Sequence, residues 1–124
     1  MNRKILIVDD HGHIRFMLTN RLTAFGYATH AIENAKNILK ETLNFKPHLI
    51  IMDLMLPGID GIEAIKILKN NNETKDIPII MLTAVSSKKT VVEAVKAGAI
   101  DYIVKPFKAE DLHKKIDQIL NKNA

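Results

Sequence analysis

Short runs of apolar residues alternate along this chain with longer stretches in which apolar residues recur every three or four positions. Residues 4–8 (KILIV), 49–53 (LIIMD), 79–82 (IIML) and 100–104 (IDYIV) carry dense apolar runs. The runs within 49–52 and 79–82 contain no polar residue, the pattern of strands buried on both faces. Residues 27–32 alternate more and predict a weaker strand nearer an edge. Between these runs the helical period predicts five helices. The first starts at about Ile14 and carries Ile14, Met17, Leu18, Leu22 and Phe25, with Gly26 as its left-handed stop. The second is capped by Asn34, carries Ile38, Leu39 and Leu43, and is closed by Pro47. The third carries Ile62, Ile65 and Leu68 and dissolves into the polar run 70–76, read as a surface loop before Pro78. The fourth places Val91, Val92 and Val95 on one face and stops at Gly98. The last carries Leu112, Ile116, Ile119 and Leu120, keeps Lys114, Lys115 and Asp117 on its wetter side, and sets Glu110 and Asp111 in its first turn behind a poor cap, Lys108.

Five strands alternating with five helices, in units of about 25 residues, imply parallel strands joined by right-handed helical crossovers. The fold class is α/β, a three-layer (βα)5 sandwich. At 124 residues the chain is read as one domain, 1–124, with enough apolar material (47%) for a real core. There are no cysteines, which removes disulfide and thiolate chemistry and suits a reducing cytoplasm. No apolar run approaches the roughly 20 residues of a membrane span, and no signal-peptide pattern opens the chain, so the expected location is cytoplasmic, without membrane insertion. The net charge of +4 raises the question of nucleic acid. The 18 Lys and Arg are, however, scattered without a long basic block, and two Tyr, four Phe and no Trp leave little for base stacking, so no direct nucleic-acid binding is expected.

The chemistry gathers where strands end. Asp53 directly follows a fully apolar strand and precedes a turn marked by Pro57, Gly58 and Gly61. In open parallel sheets ligands bind beyond the carboxyl ends of the strands, so Asp53 is a site candidate, with a cap or turn Asp as the plain alternative. Asp9 and Asp10 end the first strand, Thr83 the fourth and Lys105 the fifth. Each is commonplace alone; their joint position at successive strand ends puts them along one rim. Three carboxylates brought together repel unless protonated or bound to a cation, and an all-oxygen, open acidic pocket suits Mg²⁺, or Mn²⁺, better than zinc. Such a pocket would let Asp53 act as nucleophile on a phosphoryl donor, with Lys105 and the Thr83 hydroxyl holding the transferred oxygens.

These residues carry a resemblance. VDD at 8–10, the DxxLPxxDG form at 53–61, Thr83 with Ala84, GAxDY at 98–102 and KPF at 105–107 together resemble the response-regulator receiver domain of bacterial two-component systems, over nearly the whole chain. The resemblance implies a flavodoxin-like, doubly wound sheet of order 2-1-3-4-5. It implies that Asp53 accepts a phosphoryl group from a sensor histidine kinase or phosphotransfer protein. Asp10, Asp53 and the backbone carbonyl of Met55 would bind Mg²⁺, with Asp9 acting through water, and Lys105, held by a cis bond to Pro106, would pair with the phosphoryl oxygens. Thr83 and Tyr102 would act as switch residues that change the face made by the fourth helix, fifth strand and fifth helix, where a downstream protein, or a second copy in a phosphorylation-dependent dimer, would bind. Without the family, Tyr102 reads as an ordinary half-buried edge-strand aromatic.

Some positions depart from the family's habit. Met55 and Val85 are apolar where polar side chains are frequent, an arrangement expected to hinder water attack and prolong the phosphorylated state. His11 stands where Glu or another polar residue is common. Together with His13 it raises a zinc or manganese site, against which both are read as solvent-exposed loop residues. The leading expectation is a phosphorylation-controlled binding module, not an enzyme, that works by contact because no output domain follows the fifth helix. The alternatives are the receiver part of a longer DNA-binding regulator, against which Ile100 argues because Asp is common there in such families, and a Mg²⁺-dependent aspartyl-phosphate hydrolase. The hydrolase needs a second Asp two residues after the nucleophile, where Met55 cannot transfer a proton.

Overall fold

The computed structural model describes residues 3–84 and 88–121. Five parallel strands, β1 (Lys4–Val8), β2 (Ala28–Ile32), β3 (Leu49–Asp53), β4 (Ile79–Thr83) and β5 (Asp101–Val104), form one sheet in the order β2-β1-β3-β4-β5. The helices are α1 (Gly12–Ala24), α2 (Ile38–Phe45), α3 (Gly61–Lys69), α4 (Lys88–Ala97) and α5 (Ala109–Leu120). This is the flavodoxin-like three-layer arrangement. Its strand order reverses between β1 and β3, which opens a crevice at their carboxyl ends.

Side chains on successive strand residues face opposite layers. Leu6, Val8, Ile50, Met52, Ile79 and Met81 pack with Ile38, Ala64, Ile65, Leu68 and Ala94 on the α2, α3 and α4 side. Ile5, Ile7, Leu49, Ile51, Ile80, Leu82 and Ile103 pack with Leu18, Leu22, Leu112 and Ile116 on the α1 and α5 side. All five residues of β3 and of β4 are buried, whereas edge strand β2 has none fully buried. That matches the apolar and alternating patterns that predicted them.

Four local readings change. The N-cap of α2 is Asn37, not Asn34. The Asn34 side chain instead accepts the Lys36 N–H at 3.0 Å in a tight turn, and the helix starts later. Lys46, with φ 55°, takes the left-handed C-cap before Pro47. In α4 the buried residue is Ala94, while Val92 and Val95 are exposed, so the valine stripe is not the core face: a small residue fits where this helix lies close to its neighbours. Phe25 caps α1 at the surface, stacked on His113 of α5 with centroids 3.9 Å apart. The loop 70–76 is not wholly superficial either, since Thr74 is buried and its hydroxyl donates to the Leu68 carbonyl at 2.6 Å. The positive φ of Gly26 and Gly98 fits their reading as helix stops. Among the described residues no helix is long and apolar enough to cross a membrane.

Candidate functional site

The register of the sheet builds the site. Val8 pairs with Met52 across β1 and β3, so the next residues, Asp9 and Asp53, stand side by side where the strands end. Both follow the parity of Ile7 and Ile51 onto the α1 and α5 side, as Lys105 follows Ile103 on β5. Lys105 reaches back across the sheet end, with its Nζ 2.8 Å from Asp9 Oδ2 and 3.3 Å from Asp53 Oδ2. The Lys105–Pro106 peptide is cis, as the resemblance implied. The Lys105 N–H donates to the Thr83 carbonyl at 2.7 Å, tying the end of β5 to that of β4.

Asp9 and Asp53 are almost completely buried, while Asp10 is exposed. Burial, then the neighbouring Asp9 charge, pushes the Asp53 carboxyl above its ordinary range, against the opposing pull of Lys105 and of the Met55 N–H, which donates to Asp53 Oδ1 at 3.2 Å. Burial alone would lower the Lys105 ammonium, but contact with Asp9 and the charges of Asp53 and Asp9 outweigh it and hold the group above its usual value. Asp9 Oδ2, which has no access to solvent, has the Lys105 ammonium as its partner. Three carboxylates, those of Asp9, Asp10 and Asp53, thus gather around one ammonium, that of Lys105. One oxygen from each of Asp9, Asp10 and Asp53 and a ring nitrogen of His11 all lie within 4.8 Å of one another. Oxygen ligands of a hexacoordinate divalent cation sit about 2.1 Å from it, roughly 4.2 Å apart across the ion, so this donor set fits one.

The described loops after β1 and β3 carry hydrogen bonds of their own. The Arg15 guanidinium donates to the Asp9 carbonyl at 2.8 Å, and the His11 N–H donates to Asp9 Oδ1 at the same distance. Beyond Asp53, Gly58 turns with φ 75°, and Asp60 caps α3 by accepting the Glu63 N–H at 2.9 Å. Gly61 then brings that helix against the strand: a Cβ there would lie 2.6 Å from the Asp53 carbonyl oxygen.

A family model described as the response regulator receiver domain matches residues 5–117. This chain belongs to that family. It is 39% identical over 122 residues to the phosphate regulon transcriptional regulatory protein PhoB of Pseudomonas aeruginosa, covering 98% of this chain and 53% of that protein. It is 37% identical over 123 residues to the DNA-binding response regulator MtrA of Mycobacterium tuberculosis, covering 99% and 53%. The chain thus spans about half the length of these curated relatives. Chemotaxis protein CheY4 of Vibrio cholerae superposes with a TM-score of 0.92 at 31% identity, covering 97% of this chain and all of that one. A CheY-like receiver domain protein from Methanospirillum hungatei superposes at 0.91 with 30% identity, covering 98% and 96%.

Within this receiver domain, Asp9, Asp10, Asp53 and Lys105 converge on one cup, as strand ends predicted. Thr83 is buried at the end of β4, in register with Val104 of β5. Tyr102 stands exposed on edge strand β5, so its position in this state matches the plain reading. Met55 is beside the cup with its side chain mostly in solvent, and Val85 lies outside the described residues. His13 is exposed, its ring edge-on to His11 at 5.7 Å. His11 is an exposed loop residue, as read, but it also faces the cup. Its ring is half-exposed, yet its Nδ1 lies 3.1 Å from Asp9, 3.2 Å from Asp10 and 4.0 Å from Asp53. Arg15, Asp60 and Gly61 also serve the site without having been assigned to it. The Asp60 cap was legible as an acidic residue three before Glu63 at a helix start.

Proposed function

We propose that this receiver domain accepts a phosphoryl group on Asp53 from a phosphohistidine of a sensor kinase or phosphotransfer protein, and that phosphorylation alters the surface of α4, β5 and α5 for a partner. The observation that carries the reading is the Lys105 ammonium shared by the buried carboxylates of Asp9 and Asp53 inside an acidic cup. An oxygen of Asp53 attacks phosphorus, a P–O bond forms, the P–N bond of the donor breaks, and the leaving imidazole takes its proton from solvent. Burial favours a reactive carboxylate only while it stays charged, and Lys105 supplies that bias before transfer and pairs with the phosphoryl oxygens after it. Asp10, Asp53 and the Met55 carbonyl would hold Mg²⁺, or Mn²⁺, with Asp9 supporting it. The cation supplies neutralisation of phosphoryl charge during the donor's approach. Beside the cup a groove of about 480 Å³, lined in part by Ile14, Met17 and Phe107, offers apolar contact for the donor domain.

Thr83 then turns its hydroxyl to the phosphoryl group and Tyr102 moves inward behind it, linking the cup to a face on which Val92, Val95, Ile100 and Tyr102 are exposed. That face would receive a downstream protein or a second phosphorylated copy. The role is regulatory, with self-directed phosphotransfer and dephosphorylation as its only chemistry. We further propose that residues 1–124 form one domain. A second reading, the receiver part of a longer DNA-binding regulator, is favoured by the lengths of PhoB and MtrA. The length of the native open reading frame separates the two.

Incubation with Mg²⁺ and a small acyl phosphate is expected to give an acid-stable, base-labile phosphate on the peptide containing Asp53, lost in Asp53→Asn. Phosphate retained in that variant, or mapped elsewhere, overturns the assignment.

A further inference from the structure

Among the described residues whose donor atoms meet in the cup, His11 is one that the phosphoacceptor reading leaves without a role. It occupies the N-cap position of α1, yet its side chain makes no capping hydrogen bond. The ring instead leans over the carboxylates, and one nitrogen, Nδ1, stands within 3.2 Å of two of them and 4.0 Å of the third. A neutral imidazole nitrogen carries either one proton or one lone pair. Carrying the proton, Nδ1 donates to Asp9 Oδ1 at 3.1 Å and leaves Asp10 and Asp53 unserved; with the proton on the other ring nitrogen, it is placed to share a cation with all three. Asp9 is fully buried, with the Lys105 ammonium 2.8 Å from its Oδ2, so the one ammonium at the cup is already engaged by a carboxylate.

We propose that His11 Nδ1 is a fourth ligand of the cation in this cup, with its ring proton on Nε2, and that it biases the site toward transition divalent cations over Mg²⁺. This rests on the proposed cation-dependent phosphoacceptor role of the same cup. The chemistry of the donors sets the direction. Three carboxylates alone suit hard cations, and Mg²⁺ retains oxygen ligands and water. An imidazole nitrogen adds affinity along the series Mn²⁺ < Co²⁺ < Ni²⁺ and little for Mg²⁺. His13 does not take part: although its ring touches that of His11 edge-on, it is not among the residues whose donor atoms cluster with Asp9, Asp10 and Asp53.

The test compares the full chain with His11→Gln and His13→Gln, titrated calorimetrically with Mg²⁺, Mn²⁺ and Co²⁺. Pulsed electron paramagnetic resonance of the Mn²⁺ complex reads nitrogen coupling directly. The wild type and His13→Gln are expected to show imidazole nitrogen coupling and to bind Co²⁺ at least tenfold more tightly than Mg²⁺. In His11→Gln the coupling should vanish and Co²⁺ affinity fall about tenfold, with Mg²⁺ affinity within about twofold of wild type. His11 sits in a surface loop with its ring half in solvent, and a circular dichroism spectrum matching the wild type verifies the fold. Absence of nitrogen coupling in the wild type, or an unchanged Co²⁺ to Mg²⁺ ratio in His11→Gln, overturns the proposal. If Mg²⁺-dependent phosphorylation of Asp53 persists in that case, the phosphoacceptor reading stands and only the role of His11 falls. If Asp10→Asn leaves binding of all three cations intact, the cup is not the cation site and both readings fall.

Discussion

Asp53 is asked to be both buried and charged, and the two requirements oppose each other. Its folded-state pKa lies above the unfolded value, so between those two values the folded protein binds more protons than the unfolded chain, and stability falls as pH rises through that window. Above both values the whole penalty is present. Asp53→Asn is therefore expected to raise the urea midpoint at pH 7, with Lys105 still paired to Asp9, and the advantage should shrink as pH is lowered toward the carboxylate range, about 4. A midpoint lowered at pH 7 would refute the account. A cation relieves the same repulsion by binding only the folded cup. At a hundred times its dissociation constant Mg²⁺ should stabilise by about 2.7 kcal/mol. Asp10→Asn should lose most of that increment, measured as the difference in midpoint with Mg²⁺ and with chelator. Met55 bears on the next step: replaced by Asn, a polar neighbour able to orient water, it should speed loss of the phosphate, and an unchanged rate would remove it from the account.

At the scale of elements, β3 and α3 are joined so closely that one methyl group separates a working turn from a distorted one. A Cβ at Gly61 would press on the backbone of Asp53 and Leu54, which cannot move aside as a flexible side chain could. Gly61→Ala is expected to cost about 1–3 kcal/mol in chemical denaturation, the range for overpacking, and to reduce phosphorylation of Asp53 by displacing it. The element pattern was legible in the sequence because fully buried strands and one-sided helices leave different apolar periods, and the strand ends followed from it. What escaped had specific causes. Val91, Val92 and Val95 suggested a core stripe, but tight approach to the neighbouring layer favours Ala94, and periodicity records hydrophobicity rather than clearance. Asn34 and Asn37 are equally good caps by composition, and only the backbone decides between them. The inward lean of His11 depends on the angle at which α1 leaves β1, fixed by the Arg15 and Asp9 contacts and invisible to residue spacing.

For the whole molecule, the cup stands at the ends of β1, β3 and β5, the exposed patch of Val92, Val95, Ile100 and Tyr102 lies on α4 and β5, and β2 is the opposite edge strand. A switch driven from the cup should act unevenly. Amide hydrogen exchange on phosphorylation is expected to change in α4 and β5 and to remain unaltered in β2 and α2. Uniform change across the sheet would argue against a switch confined to that face.

The contact between Lys105 and Asp9 joins residues 96 positions apart in the chain. Its closure entropy is repaid only when β5 docks, because nothing local holds that ammonium in place. In the proposed role, the cup would therefore not answer a phosphoryl donor until β5 has been made and has docked. A truncated product ending before the cis-proline loop would have both acidic strand ends, yet no answering cation to make a signal of them.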